Sequence, residues 1–107
     1  MSYNVIATPR FKRDLKKLSK KYFSLKDEYA SLINELESKP QIGTPLGNNC
    51  YKIRVSIDSK GKGKSGGARV ITYVVIKEEI VFLLTIYDKA EKENITNREL
   101  KELLEQL

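Results

Sequence analysis

Histidine is absent from these 107 residues and cysteine occurs once, at Cys50. Without imidazole there is no Ser-His-Asp or Cys-His constellation, no nuclease built on a histidine pair, and no zinc site with imidazole ligands. A single thiol can neither close an internal disulfide nor supply a thiolate cluster, which points to a reducing compartment. No stretch approaches the roughly 18 apolar residues of a membrane span. The first residues, MSYNVIATPRFKRD, reach basic side chains before an apolar signal core develops. The expected location is the cytoplasm, with no membrane partner. Chemistry is left to Lys, Arg, Tyr, Asp, Glu and backbone groups.

What the sequence does have is positive charge in blocks. Lys and Arg number 20 against 14 Asp and Glu, a net charge of +6. Residues 1–26 hold eight cations and one acid, residues 51–77 hold seven and one, and residues 78–107 reverse the balance with eight acids and four cations. Two basic stretches and an acidic tail suggest a polyanionic partner met by one face, against the plainer alternative of solvated charge. The length fits one domain spanning residues 1–107, which would bury roughly 65% of the surface exposed by its unfolded form.

Residues 3–7, YNVIA, are β-prone, and Thr8-Pro9 reads as a helix N-cap followed by proline at the first helical position. Phe11, Leu15, Leu18 and Tyr22 recur at helical spacing. After a break near Phe23 and Ser24, so do Leu25, Tyr29, Leu32, Ile33 and Leu36. Residues 39–49, KPQIGTPLGNN, read as a loop. From Tyr51 the period becomes two, with Tyr51, Ile53, Val55 and Ile57 on one face and Lys52, Arg54 and Ser56 on the other. Residues 68–76 and 80–87 form a predicted hairpin of β-branched and aromatic residues. Thr96 to Glu99 fits a capping box, and Leu100, Leu103, Leu104 and Leu107 line one side of a last helix. The predicted order is β-α-α-β-β-β-α. It favours an α+β fold with two helices on one face of a mainly antiparallel four-stranded sheet.

Residues 58–67, DSKGKGKSGG, contain a formal G-x-G-x-x-G at Gly61, Gly63 and Gly66 and a Gly63-Lys64-Ser65 tripeptide. A dinucleotide fingerprint must open a helix, yet a predicted strand follows. A P-loop needs glycine where Asp58 stands. The loop is better suited to contact RNA or DNA backbone through Lys60, Lys62 and Lys64, unless it is an ordinary solvated turn. Lys52 and Arg54 share a strand face that Arg69 can join from the next strand, where three repelling cations would suit a phosphate. The alternative is a wet sheet face. Tyr73 and Tyr87 could stack on bases, although strand aromatics more often pack. Asp88, Glu91 and Glu93 match no metal-ligand spacing. Asn94-Ile95-Thr96 reads as the approach to a helix cap, and Cys50 as a small apolar residue at a strand start.

The segments CYKIR (50–54), GKGKSGGARVITY (61–73) and VFLLTIYDKAEKENIT (81–96) together resemble the RelE/ParE superfamily of bacterial toxins over the whole chain, and HigB-like members most. The resemblance implies a small α+β fold that enters the ribosomal A site and cuts mRNA. It also implies a cognate antitoxin joined to the toxin in a hetero-oligomer. Carried over by position, the catalytic residues would be Lys52, Arg54, Arg69 and Lys89. Where RelE has a tyrosine shortly after the last of these, this chain has Ile95, so the aromatic role is absent or passes to Tyr73 or Tyr87. Such cleavage requires neither metal nor cofactor, because the ribose 2′-OH is the nucleophile. The protein adds in-line geometry, charge stabilisation and proton transfer. Arg54 and Arg69 would clamp phosphoryl oxygens. Lys52 would be the base, since neighbouring cations favour a neutral lysine, and Lys89 would serve the leaving oxygen. Two other functions fit the same outline: a ParE-like toxin that blocks DNA gyrase without nuclease chemistry, and an inactive nucleic-acid-binding or antitoxin-binding relative. An acidic or partly disordered antitoxin segment would suit the basic face.

Overall fold

The computed structural model describes residues 2–61 and 66–107, apart from the side chain of Lys60. Strand β1 (Asn4–Ala7) leads into helix α1 (Pro9–Lys21). Thr8 caps α1 by accepting from the Phe11 amide, and Pro9 occupies the first turn, where a missing N–H is harmless. Helix α2 (Leu25–Ser38) follows the predicted break. Strands β2 (Thr44–Gly47), β3 (Cys50–Val55), β4 (Ala68–Val75) and β5 (Ile80–Asp88) come next, with one 3-10 turn at Asp58–Lys60 after β3. Helix α3 (Asn97–Glu105) ends the fold and starts at the predicted capping box: Thr96 accepts from the Glu99 amide, and the Glu99 carboxylate accepts from the Thr96 amide.

The architecture is α+β, but the sheet has five strands rather than four and is mixed, in the order β1-β5-β4-β3-β2. The additional strand is β2, inside the segment expected to be a loop. Asn48 and Asn49 both take left-handed conformations (φ 53° and 61°), as a two-residue type I′ turn requires, and Gly47 pairs with Cys50 across them. Pro45 is tolerated because β2 lies at the sheet edge. At the opposite edge β1 runs parallel to β5, while the other neighbouring pairs are antiparallel.

Strand alternation divides the sheet into two faces. Ile53, Val55, Val70, Val74, Val81 and Leu83 meet Phe11, Leu18, Leu25, Leu32 and Leu36 beneath α1 and α2. On the other face Cys50, Ile71 and Leu84 meet Leu100 and Leu103 of α3. Burial on both faces explains why β4 and β5 are almost continuously apolar. Among the described residues, no helix is long and apolar enough to cross a membrane.

Candidate active site

The site starts from the alternation in β3. Its inward residues, Ile53 and Val55, are buried against the helices, which turns Lys52 and Arg54 to the opposite face. Antiparallel register places Arg69 of β4 directly across from Arg54, and Tyr87 of β5 directly across from Arg69. Lys52 lies two residues along β3 from Arg54, opposite Ile71. The result is a row of Arg54, Arg69 and Tyr87 across three strands, with Lys52 beside it.

A slip in the β4–β5 register contributes to this row. Ile71 pairs with Thr85 but Thr72 pairs with Leu83, so Leu84 has no partner of its own. Phe82 and Leu84 face α3; strict alternation from them would send Tyr87 toward α1 and α2. The slip reverses the parity and puts Tyr87 beside Arg69, a common use of an irregularity near a site.

Arg69 is only 4% exposed, and its Nη1 donates to the Ala68 carbonyl at 3.0 Å. Burial, and then the neighbouring Arg54, hold its guanidinium below the usual arginine range, with Tyr87 acting in the opposite sense. Burial pushes the Tyr87 phenol above its ordinary value, partly offset by Arg69. The Tyr87 hydroxyl is buried without a hydrogen-bond partner among the described residues. Lys92 Nζ stands 5.7 Å from the Tyr87 ring centroid.

The segment after β5 closes over one end of the row. Lys89 extends the ladder by donating its amide to the Gly67 carbonyl at 3.0 Å. Buried Asp88 holds the turn: its carboxylate accepts from the Tyr22 hydroxyl at 2.7 Å and from the Ala90 amide at 2.9 Å. Lys92 pairs with Glu99, tying the segment to the first turn of α3. Thus anchored, Asn94 Oδ1 accepts from Lys52 Nζ at 3.2 Å. Beside these groups a cavity of about 360 Å³ opens between α1, the end of β5 and α3, with Tyr87, Lys92 and Ile95 in its wall.

The structure therefore brings Lys52, Arg54, Arg69 and Tyr87 to one face and Lys89 to the end of the strand that carries Tyr87. Tyr73 is separate: it stacks on Phe82, with centroids 6.3 Å apart, in the cluster under α3. Ile95 is half-buried against that cluster. Lys62 and Lys64 lie outside the described residues, as does the side chain of Lys60. The two basic stretches do not form one face, because α1 packs on the side of the sheet opposite Lys52 and Arg54. Among the described residues, no group of three or more Cys, Asp or Glu gathers as a metal-binding cluster. Asn94 and Lys92 belong to the site's surroundings but carry no motif; only the Asn-Ile-Thr approach to the α3 cap marked their neighbourhood.

A family model described as "RelE toxin of RelE / RelB toxin-antitoxin system" matches residues 11–106. Among solved structures, the chain is similar to a double arginine-to-alanine mutant of E. coli toxin RelE in the free state, with TM-score 0.66 and 18% identity over 100% of this chain and 99% of the other. It is similar to the toxin of the intact E. coli RelBE toxin–antitoxin complex, with TM-score 0.61 and 19% identity over 81% and 96%. The RelBE2 toxin–antitoxin complex of Mycobacterium tuberculosis matches with TM-score 0.60 and 18% identity over 82% and 99%.

Proposed function

Because the chain belongs to the RelE toxin family, we propose that it is a ribosome-dependent endoribonuclease that cuts mRNA in the A site without a metal ion. The observation that carries this reading is the direct pairing of Arg54 with Arg69 on one sheet face. Two cations opposite each other disfavour the sheet, and a phosphodiester between them removes that penalty.

In the proposed reaction Lys52 takes the proton of the ribose 2′-OH. The 2′ oxygen attacks the adjacent phosphorus, the bond to the 5′ oxygen breaks, and Lys89 donates a proton to that leaving oxygen. The products are a 2′,3′-cyclic phosphate and a 5′-hydroxyl. Arg54 and Arg69 hold the phosphoryl oxygens as charge accumulates there. Tyr87 sets its ring beside them, in the role that Ile95 cannot fill. The Asn94 contact aims the Lys52 amine. We assign the protein a cytoplasmic location and a cognate antitoxin, bound as a hetero-oligomer; the E. coli RelBE and M. tuberculosis RelBE2 structures to which the chain is similar are toxin–antitoxin complexes.

The test is primer extension on a message translated by purified ribosomes. The wild-type chain should produce discrete cuts, and Arg69→Ala or Lys52→Ala should slow them by about a hundredfold or more. Cleavage at the wild-type rate in both variants would overturn the assignment. A DNA-damage response on induction without loss of message would instead support gyrase inhibition.

A further inference from the structure

Tyr22 is the first residue past α1, with extended backbone (φ −127°, ψ 102°). Its ring packs with the core beneath α1 and α2, where a phenylalanine would pack as well. The hydroxyl is what sets it apart: it donates at 2.7 Å to the carboxylate of Asp88, 66 positions away in the chain. The corner that bears Tyr22 is itself held. Ser24 Oγ accepts from the Ser59 amide at 3.0 Å, and Glu28 Oε2 accepts from the Asp58 amide at 2.6 Å, which ties the start of α2 to the turn after β3.

Asp88 is only 1% exposed. A carboxylate in such a place is costly unless donors surround it, so its position at the end of β5 calls for a reason beyond packing. While one oxygen takes the Tyr22 proton, the other accepts from the Ala90 amide, and the Asp88 carbonyl accepts from the amides of Glu91 and Lys92, both at 3.1 Å. Residues 88–92 are thereby set as one hydrogen-bonded turn around this side chain. From that turn leave Lys89, the proposed proton donor to the leaving oxygen, and then Asn94, which meets Lys52 Nζ at 3.2 Å.

We propose that Tyr22 is a positioning residue of the nuclease site: its hydroxyl fixes Asp88, and through Asp88 the turn that presents Lys89 and Asn94 to the row of Lys52, Arg54 and Arg69. Tyr22 packs on the side of the sheet opposite Lys52 and Arg54, so it acts through Asp88 and does not touch the RNA. This role rests on the nuclease reading and adds to it a residue that lies outside the basic face.

The variant is Tyr22→Phe, which keeps the ring and removes the hydroxyl. Its control is Tyr29→Phe, because that ring packs in the same core, against Phe11. Two measurements are made on each: cleavage of a message on programmed ribosomes, and amide exchange followed residue by residue in the free protein. In Tyr22→Phe the kcat should fall about tenfold, the scale of a displacement well under 1 Å. Its KM should stay within about twofold of the wild type, since no binding contact is removed. Exchange at Ala90, Glu91 and Lys92 should quicken about tenfold while Val70 and Val81 in the sheet keep their wild-type rates. Tyr29→Phe should change neither readout. Wild-type kcat in Tyr22→Phe, a raised KM at constant kcat, or unchanged exchange at the three turn amides would each overturn the proposal. So would a loss of kcat shared by Tyr29→Phe, or exchange that quickens equally at Val70, because Tyr22 would then serve general stability. If the wild-type chain makes no cut, it is the nuclease reading that fails; the exchange data still decide whether the phenol holds the turn, and unchanged rates would sink that as well.

Discussion

Arg54 and Arg69 oppose each other across two hydrogen-bonded strands, and Arg69 is almost wholly withdrawn from water. Like charges directly opposite in a sheet are destabilising by up to about 1 kcal/mol. Arg54→Gln is therefore expected to stabilise the fold by about 0.5 kcal/mol in urea unfolding while reducing cleavage; lower stability together with lower activity would mean that Arg54 supports the structure. Cys50 presents a different balance. Burial pushes its thiol from 9.0 up to about 11, so the folded chain retains a proton there that the unfolded chain gives up. This contribution to stability is present below pH 9 and is lost as pH rises from 9 to about 11. Melting curves should fall across that window more steeply for the wild type than for Cys50→Ala; parallel curves would show that other groups dominate.

Helix α3 is shorter than α1 and α2. It has nine residues, too few to be stable alone, and depends on Leu100, Leu103 and the capping box at Thr96. Thr96→Ala should cost about 1 kcal/mol and speed amide exchange in α3 and the preceding segment. Because that segment carries Asn94, the variant should also release Lys52 and slow cleavage more than the stability change alone explains; an unchanged rate would separate the cap from the site. This helix, its box, the β4–β5 hairpin and the parity of Lys52 and Arg54 were all legible in the sequence, since each is a local pattern. Strand β2 was not, because Pro45 and Gly47 obscure it and its strand character comes from pairing with β3. Its legible trace was Asn48-Asn49, two residues that tolerate left-handed backbone. The Leu84 slip leaves no trace in residue type, so the position of Tyr87 beside Arg69 had to come from coordinates. Gly67 adds a constraint that composition could not supply: a Cβ there would overlap the Val55 carbonyl oxygen, so the position just before β4 admits no side chain.

Over the whole molecule, positive charge is divided by the sheet, with the α1 lysines on one side and Lys52, Arg54 and Arg69 on the other. The summed charge could not reveal this division; it depends on which face each strand and helix presents. With a net charge of +6, the folded chain repels itself at low ionic strength. Added chloride should raise the melting temperature by screening, with little regard to which cations remain. A tetrahedral oxyanion can do more, because it can accept from two guanidinium groups together. Inorganic phosphate should therefore raise the melting temperature beyond chloride at equal ionic strength. Part of that excess is general exclusion of phosphate from protein surface and should persist in every variant. The rest should vanish in Arg54→Gln/Arg69→Gln but survive in Lys12→Gln/Lys16→Gln/Lys20→Gln, because spaced lysines form no bidentate grip. A binding contribution of about 1 kcal/mol would appear as roughly 4–8 °C. If the lysine variant loses the excess and the arginine variant keeps it, the anion prefers α1, and the arginine pair is no phosphate clamp.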